Sequence, residues 1–235
     1  MFSKLFFPAI AVLVIVTAGC KKDDSPITPG GGSTTPARVM AVHASPGGPA
    51  IDIYLDTTRS QAALSYGSNT GYKDVAVGVH SLKATIAGTQ TVVVSIPFFV
   101  VSASMMVTVF AADTGASITV PYFFDTLSTT SSGKARLRFI HMAVKGANLE
   151  VVDSVNSTTS TPVFGSTAYL AGTQFTDIGS GTHNFLIVRT VGPTQTVMAS
   201  LRTTLVEGKS YTLWVKGLPG VSGSLGVSAD IIANN

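Results

Sequence analysis

The sequence contains little charge and a single cysteine. Only 11% of its 235 residues are Asp, Glu, Lys or Arg, whereas an average soluble domain has about 25%. A disulfide framework is excluded because a bridge needs two cysteines. The 15 basic and 12 acidic residues nearly balance, and the basic ones lie scattered from Lys4 to Lys216, so no cationic stripe for a nucleic acid is present. With 45% apolar residues, the composition also disfavours an intrinsically disordered chain.

Motifs of the common catalytic sites are missing as well. The sequence has no Gly-x-Ser-x-Gly elbow, no His-Glu-x-x-His zinc motif and no glycine-rich phosphate loop. Its carboxylates are few and far apart along the chain, so a glycosidase pair is neither predicted nor excluded, since such a pair forms in space. We therefore expect a protein that is not an enzyme and that needs no cofactor.

Residues 1–19 have the pattern of a secretory signal peptide. A basic residue, Lys4, precedes an almost wholly apolar run from Leu5 to Val16, and the small residues Ala18 and Gly19 follow this run. The run is shorter than the roughly 20 apolar residues that a membrane-spanning helix needs. The sequence therefore predicts export of the chain and disfavours a transmembrane helix.

The single cysteine stands directly after this segment. The sequence Ala18-Gly19-Cys20 resembles the lipobox of bacterial lipoproteins, in which the signal peptidase cuts before the cysteine and the thiol carries diacylglycerol. Thr17 departs from that pattern, which prefers an aliphatic residue there. The resemblance implies that Cys20 is the lipid attachment site, and lipidation explains an unpaired cysteine in an oxidising compartment. The alternative is an ordinary signal peptide followed by a chance cysteine.

The residues after Cys20 have the pattern of a second targeting signal. Lys22, Asp23 and Asp24 resemble the short export signal that routes some lipoproteins of Gram-negative bacteria to the outer face of the outer membrane. The resemblance implies a lipoprotein at the cell surface, with a periplasm-facing lipoprotein as the alternative and a solvated start of a linker as the simpler explanation. Residues 20–36 are rich in Pro, Gly, Ser and Thr, which predicts a flexible linker behind the lipidated cysteine.

The remainder of the chain repeats itself. Residues 37–43, ARVMAVH, match residues 135–141, ARLRFIH. The same register places Tyr66-Gly67 over Phe164-Gly165, and after a short insertion the two copies align again at His80 and His183. Two tandem copies of one domain are the simplest organisation.

Each copy has the composition of β-structure throughout. Short segments rich in Val, Ile, Thr, Phe and Tyr alternate with turns of Gly and Pro. We predict an all-β protein with two tandem antiparallel β-sandwich domains, immunoglobulin-like or prealbumin-like, of about seven strands each. The predicted domains are a first sandwich at 37–127, a linker at 128–134 and a second sandwich at 135–235.

The start of the first copy resembles a known family. Residues 37–46 read Ala-Arg-Val-Met-Ala-Val-His-Ala-Ser-Pro and residues 49–56 read Pro-Ala-Ile-Asp-Ile-Tyr-Leu-Asp, which is similar to the opening of the DUF4397 family of bacterial extracytoplasmic β-domains. The resemblance spans nearly all of 37–127 and, more weakly, 135–233. The second copy departs from it with Met142-Ala143-Val144 in place of Ala-Ser-Pro. Because the function of this family is unknown, the resemblance implies no activity.

All four histidines fall at two repeat-equivalent positions, His43 with His141 and His80 with His183. Alternation along a strand places each of them on an apolar face. We therefore expect core histidines whose ring nitrogens hydrogen-bond to the backbone or to a tyrosine hydroxyl. The alternative is a metal site of His43, His80 and Asp52. Zinc requires three or four converging ligands and Asp52 alternates onto the opposite face of its strand, so we predict no metal.

Several apolar residues are candidates for contact with a ligand. Tyr66, Tyr72, Tyr122 and Trp214 are aromatic residues that can stack on a sugar ring, with strand packing as the simpler role of each. Residues 92–101, VVVSIPFFVV, predict a buried strand interrupted by its proline, with an exposed patch at the two phenylalanines as the alternative.

Three classes of function follow from these features. The favoured one is a non-catalytic binding or adhesion module, held at the membrane by its N-terminal lipid, which binds a glycan or protein ligand through a concave aromatic patch. The second is a structural or accessory subunit of a cell-envelope complex, which predicts a flat apolar patch. A hydrolase is the third. The ligand and the oligomeric state stay open.

Overall fold

The computed structural model describes residues 35–114, 118–155 and 162–235. Within these ranges the chain is built from strands, and the helical structure is a single 3₁₀ turn at Gly223–Leu225. No helix in the described part is long and apolar enough to cross a membrane. The predicted signal peptide and the residues Cys20, Lys22, Asp23 and Asp24 lie outside the described residues.

The first sandwich contains eight strands in two sheets. The strands are β1 (Ala37–His43), β2 (Ile51–Leu55), β3 (Thr58–Leu64), β4 (Lys73–Val75), β5 (Gly78–Ile86), β6 (Val92–Val101), β7 (Met106–Ala111) and β8 (Tyr122–Phe124). One sheet has the order β4-β1-β7-β8 and the other has the order β3-β2-β5-β6. β6 and β8 therefore lie at free edges of the two sheets.

The second sandwich repeats this arrangement. Its strands are β9 (Lys134–Ala143), β10 (Leu149–Asp153), β11 (Phe164–Thr167), β12 (Thr176–Gly179), β13 (Gly181–Val191), β14 (Thr194–Leu205), β15 (Ser210–Gly217) and β16 (Ser228–Ala233). The two sheets have the orders β12-β9-β15-β16 and β11-β10-β13-β14. Strand for strand, these are the orders of the first sandwich.

The predicted all-β class with two sandwiches is confirmed, and the structure adds two details. Each sandwich has eight strands where about seven were expected. One pair in each is parallel, β1 with β7 and β9 with β15, while the other named pairs are antiparallel.

The extra residues of the second sandwich lie earlier in the chain than the match between the two sequences predicted. β2 pairs Ile51 with Leu64, and β10 pairs Leu149 with Thr167. Leu64 therefore corresponds to Thr167, so the extra residues of the second sandwich fall between β10 and β11. As a consequence Tyr66 corresponds to Tyr169, and the predicted match of Tyr66-Gly67 to Phe164-Gly165 is wrong.

The inward faces of the strands form two separate cores. The fully buried residues of the first core are aliphatic, and they include Val39, Ile51, Ile53, Leu82, Val94 and Val107. The second core adds three phenylalanines to its aliphatic residues: Phe139, Phe164 and Phe185. Burial of such side chains stabilises each by about 1.5–3 kcal/mol relative to exposure.

A third apolar cluster joins the sandwiches. It consists of outward-facing residues of the β1–β7 and β9–β15 sheets, among them Met40, Phe110, Ile140 and Trp214. The rings of Phe110 and Trp214 meet with centroids 5.6 Å apart. Residues Thr34–Asn235 accordingly form one compact unit.

A buried ion pair lies beside this cluster. Arg138 of β9 pairs with Asp125, the residue that follows β8, and both side chains are almost fully buried. Arg138 also donates through Nε to the Thr212 hydroxyl (2.9 Å) and through Nη1 to the Phe124 carbonyl (3.1 Å). The other oxygen of Asp125 accepts from Thr108 (2.7 Å). Because a buried charge is tolerated only when it is paired and hydrogen-bonded, this pair requires both sandwiches in place.

Tyr72 and Asn234 complete the network. The Tyr72 hydroxyl donates to Asp125 (2.6 Å) and accepts from the side-chain amide of Asn234 (3.0 Å). Asn234 in turn accepts from Thr212 (2.8 Å). Burial and the neighbouring Asp125 carboxylate raise the pKa of Tyr72, so this tyrosine stays a hydrogen-bond donor at physiological pH.

Candidate functional site

The apolar strand β6 is largely exposed. Phe98 has 78% of its surface exposed and Val100 has 60%, so the prediction of a buried strand is wrong and the alternative of an exposed patch holds at Phe98. The strand passes Pro97 without a break. Proline is compatible with an edge strand because the missing N–H faces away from the ladder.

A bulge in β6 explains why simple alternation failed. β5 pairs His80 with Phe99 and Leu82 with Ile96. Pro97 and Phe98 together therefore oppose one residue of β5. The extra residue leaves Ile96 and Phe99 on the core side and turns Phe98 to the surface.

A groove separates β6 from β8 on the surface of the first sandwich. Its volume is about 320 Å³. Phe98 lines one side, and the side chains of Tyr122 and Phe124, 58% and 59% exposed, line the other. The two β8 rings meet edge-on with centroids 5.7 Å apart. The lining residues are Ile96, Phe98, Phe99, Val100, Met105, Val107, Val109, Val120, Tyr122 and Phe124. Among their side chains, the Tyr122 hydroxyl is the one hydrogen-bonding group.

A more open hollow adjoins this aromatic groove at Met105 and Phe124. It has a volume of about 350 Å³ and is also lined by Ser104, Met106 and Leu127. The N–H of Ser104 donates to the carbonyl of Thr35 (3.1 Å). The chain therefore enters the fold beside this hollow.

Among the described residues of the second sandwich, the three positions that correspond to these exposed aromatic residues are not aromatic. Strand registers align Phe98 with Arg202, Tyr122 with Ile231 and Phe124 with Ala233. There β14 lies directly against β16. The aromatic side chains of the first sandwich are replaced by one cation and two aliphatic residues.

His43 and His141 are core residues, as predicted. Both are almost fully buried. The Nδ1 atom of His43 accepts from the Ser45 N–H (3.3 Å), so its Nε2 carries the proton and donates to the Pro49 carbonyl (2.9 Å). His141 has the same two backbone bonds. Burial lowers the pKa of both histidines. The tyrosines Tyr66 and Tyr169 contact these rings edge-on and form no hydroxyl bond to them.

His80 and His183 bind carboxylates, which the sequence did not predict. The Nδ1 atom of His80 lies 2.8 Å from Asp56 and its Nε2 lies 2.8 Å from the Ala76 carbonyl. Since both partners are acceptors, the ring donates twice, and the hydrogen bond that it donates to Asp56 raises the pKa of His80. His183 lies 2.7 Å from Asp153. The two carboxylates are not repeat-equivalent, because the registers align Leu55 with Asp153.

Asp52 does not join the histidines in a metal site. It faces away from the core and accepts from the Ala63 N–H (2.8 Å) and the Gly88 N–H (3.3 Å), with Arg59 at 3.4 Å. The Ala63 bond in particular lowers the pKa of this carboxyl. Within the described ranges, no group of three or more His, Cys, Asp or Glu side chains is arranged to hold a metal ion.

The other aromatic candidates are packed inside the molecule. Trp214 is 1% exposed and lies in the cluster between the sandwiches. Tyr72 belongs to the buried network described above, and Tyr66 is partly buried against His43, with Lys216 Nζ 5.7 Å from its ring centroid. Burial raises the pKa of Tyr66 to about 12. Of the four predicted candidates, Tyr122 is the one that faces the aromatic groove.

The loop that carries the His-Ala-Ser-Pro sequence encloses a smaller hollow of about 140 Å³, lined by His43, Ser45 and Ile51 among others. The Ser45 hydroxyl is buried and has no hydrogen-bond partner among the described residues. The corresponding residue in the second sandwich is Ala143. This hollow offers no charged group.

Several solved structures have weak overall similarity to this chain. A structure of alpha-glucan binding by a streptococcal virulence factor shares 12% identity over 77% of this chain and 92% of that chain, with a TM-score of 0.26. A second structure, of alpha-glucan recognition by family 41 carbohydrate-binding modules from streptococcal virulence factors, shares 11% identity over 77% of this chain and 93% of that chain, with a TM-score of 0.25. A family 26 carbohydrate-binding module from Eubacterium rectale, solved in complex with maltoheptaose, shares 11% identity over 83% of this chain and 95% of that one, with a TM-score of 0.27.

Sequence similarity identifies a domain in the first part of the chain. No curated protein sequence is significantly similar to this chain. The model of the family DUF4397, described as a domain of unknown function, matches residues 37–152. This range spans the whole first sandwich and the strands β9 and most of β10. A DUF4397 domain is therefore present at residues 37–152.

Proposed function

We propose that the protein is a membrane-anchored, non-catalytic binding module whose contact surface is the aromatic groove. The observation that supports this most directly is the exposure of Phe98, Tyr122 and Phe124 around one concave surface. Contiguous exposed apolar surface of this kind is typical of interaction sites. The three corresponding positions among the described residues of the second sandwich carry Arg202, Ile231 and Ala233, so the exposed aromatic side chains are not a general property of this fold.

The chemistry of the groove supports a role without catalysis. Its lining contains no carboxylate, histidine, cysteine or serine. A hydrolase of the kind considered from the sequence needs two carboxylates in a cleft. The buried acids instead have structural partners: Asp52 binds backbone N–H groups, and Asp125 binds Arg138.

The lining also favours an apolar ligand surface over a glycan. Aromatic rings stack on sugars, but recognition of sugar hydroxyls needs several polar groups placed around the ring. The aromatic groove supplies only the Tyr122 hydroxyl. A partner that presents apolar surface is the better match, and an accessory role in an envelope complex, in which the partner is a protein, is the second candidate.

Anchoring and location are part of the proposal. Cys20 would carry the lipid, and Lys22, Asp23 and Asp24 would direct the protein to the outer membrane and the cell surface. We expect Cys20→Ala to move the protein from the membrane fraction to the soluble fraction. We expect the double change Asp23→Ala, Asp24→Ala to keep it in membranes but to protect it from protease added to intact cells. Protease resistance of the unaltered protein on intact cells would contradict surface exposure.

A cross-linking experiment tests the aromatic groove as the contact surface. A photoreactive phenylalanine analogue is placed at position 98 or, as a matched control on the other sandwich, at position 202, in the anchored protein in cells. We expect adducts from position 98 and few or none from position 202. Equal yields at both positions, or no adduct at position 98, would reject the aromatic groove as the contact surface.

A further inference from the structure

We propose that the aromatic groove and the adjoining hollow form one membrane-contact surface, which places aromatic side chains in the interfacial region of the lipid bilayer. Its exposed apolar members are Phe98, Val100, Tyr122 and Phe124, and the half-buried Met106 and Leu127 line the hollow beside them. The inference rests on the proposed anchoring through Cys20 and names the lipid surface as the partner of the same site.

The chemistry of the membrane-contact surface fits a lipid interface. Most of its side chains are aromatic or aliphatic, and Ser104 and Thr126 are its small polar residues. Asp125, the one acid that borders it, is buried and paired with Arg138. Aromatic rings with a polar tip, such as Tyr122, favour the boundary between headgroups and acyl chains. At its margin Arg38 donates to the sulfur of Met106 (2.9 Å) and is itself exposed, which places a guanidinium where lipid phosphates would lie.

The position of the surface in the chain supports the same partner. The carbonyl of Thr35 accepts from Ser104, a residue that lines the hollow. Only the 14 residues from Lys21 to Thr34 separate this point from Cys20. Even fully extended, they span at most about 50 Å, at 3.3–3.6 Å per residue. An anchor at Cys20 therefore holds the point where the chain enters the fold, beside the membrane-contact surface, within about 50 Å of the bilayer, which gives a high local concentration of lipid.

Apolar contact of this kind adds to the anchor. A lipid chain alone leaves the folded part free to rotate, whereas insertion of aromatic side chains would fix one face of the first sandwich against the membrane. The second sandwich, which carries Arg202 in place of Phe98, would then face away from the lipid.

Fluorescence quenching by lipid tests the inference. The compact unit Thr34–Asn235 contains all three apolar clusters, so a chain that begins at Cys20 keeps the whole fold. Its single thiol is coupled to maleimide-headgroup lipid in vesicles of phosphatidylcholine with brominated acyl chains, which quench tryptophan on contact. The variants are Phe98→Trp and, as the matched control, Arg202→Trp. Phe98 is exposed, so the first substitution does not disturb the core.

We expect the tryptophan at position 98 to lose most of its emission in brominated vesicles and to shift to shorter wavelength. The tryptophan at position 202 and the buried native Trp214 should keep theirs. Equal emission at position 98 in brominated and unbrominated vesicles, or equal quenching at both positions, would overturn the inference. Protein or glycan adducts from position 98 in cells, without quenching, would reject the lipid partner and leave the proposed binding role standing. An absence of both quenching and adducts at position 98 would reject both proposals.

Discussion

The two sandwiches share one strand order but place their aromatic side chains on different sides of the sheets. In the second sandwich Phe139, Phe164 and Phe185 fill the core. In the first, the fully buried core is aliphatic, and Phe98, Tyr122 and Phe124 stand at the surface. Aromatic side chains have large apolar surfaces that gain free energy on burial. Their exposure on one sandwich alone agrees with the proposal that the first sandwich makes the contact and the second supports it.

The interface between the sandwiches shows a second difference. The strand registers align Met40 with Arg138, and Asp125 with Asn234. A charge on the second sandwich therefore meets its counterion on the first, and neither half reproduces the pair by itself. The apolar cluster around Trp214 packs the two sandwiches against each other. The ion pair makes the contact asymmetric, because each sandwich supplies a different charged residue.

The largest expected effect comes from making the interface symmetrical. Asp125→Asn gives the first sandwich the amide that the second has, and leaves Arg138 buried without a counterion. We expect a loss of about 3–5 kcal/mol in the free energy of unfolding, since breaking a buried pair leaves an uncompensated charge. Urea denaturation measures it.

Two further variants serve as controls for this change. Adding Arg138→Met to Asp125→Asn removes both charges and should recover more than half of the loss, because the two effects are coupled. Asp230→Ala breaks the partly exposed pair with Lys216 and should cost about 1 kcal/mol. Additive losses in the double variant would show that the pair does not act as a unit.

Because the aromatic residues are buried in one sandwich and exposed in the other, a Phe→Ala change should cost different amounts of stability in the two. Phe185→Ala empties a fully buried site and should cost about 3–5 kcal/mol. Phe98→Ala removes a ring that is mostly exposed, and should change stability by no more than about 0.5 kcal/mol. Thermal or urea unfolding of both variants gives the comparison. A cost at Phe98 close to that at Phe185 would mean that the β6 ring packs inside the sandwich.

The histidines predict a smaller, pH-dependent difference. His43 and His141 have pKa values lowered from 6.5 by burial. The unfolded chain therefore binds protons there before the folded one, and their contribution to stability is lost as the pH falls below about 6.5. His80 has a raised pKa through Asp56, so its contribution is present below pH 6.5 and is lost as the pH rises through the folded pKa. NMR titration of the imidazole protons should separate His80 from His43 and His141, and Asp56→Asn should return His80 toward 6.5. An unchanged His80 titration in that variant would exclude the carboxylate as the cause.

Local pattern was sufficient for much of the fold. Alternation along β1 and β9 identified His43 and His141 as core residues, because a buried face requires period two. The repeat of seven residues at the start of each copy predicted two similar sandwiches. Both features depend on neighbours along the same strand, which the sequence displays directly.

The candidate site depends on contacts between residues that are far apart in the sequence, which a local sequence pattern does not predict. Phe98 is exposed because β6 is an edge strand and carries a bulge, and both properties follow from which strands pair. Arg138 and Asp125 are neighbours only because two separate sandwiches pack together. Likewise, Asp153 contacts His183 from a strand position where the first sandwich has Leu55. Comparison of the two halves of the sequence therefore did not predict a carboxylate beside His183. A proline in an otherwise apolar run was the one available signal for the exposed edge at β6.

The central claim is that the aromatic groove is the contact surface. It is tested most directly by comparing the chemical accessibility of position 98 with that of the corresponding position 202. The chain has no other thiol than Cys20, so Phe98→Cys and Arg202→Cys each introduce a single reactive group once Cys20 carries lipid. The ratio of maleimide labelling rates, position 98 over position 202, is measured for purified protein in detergent-free buffer as the Cys20→Ala form and for the anchored protein on cells. A severalfold fall in this ratio on anchoring is the predicted result, because the aromatic groove is covered while the second sandwich stays open. An unchanged ratio would contradict the assignment of the aromatic groove as the contact surface.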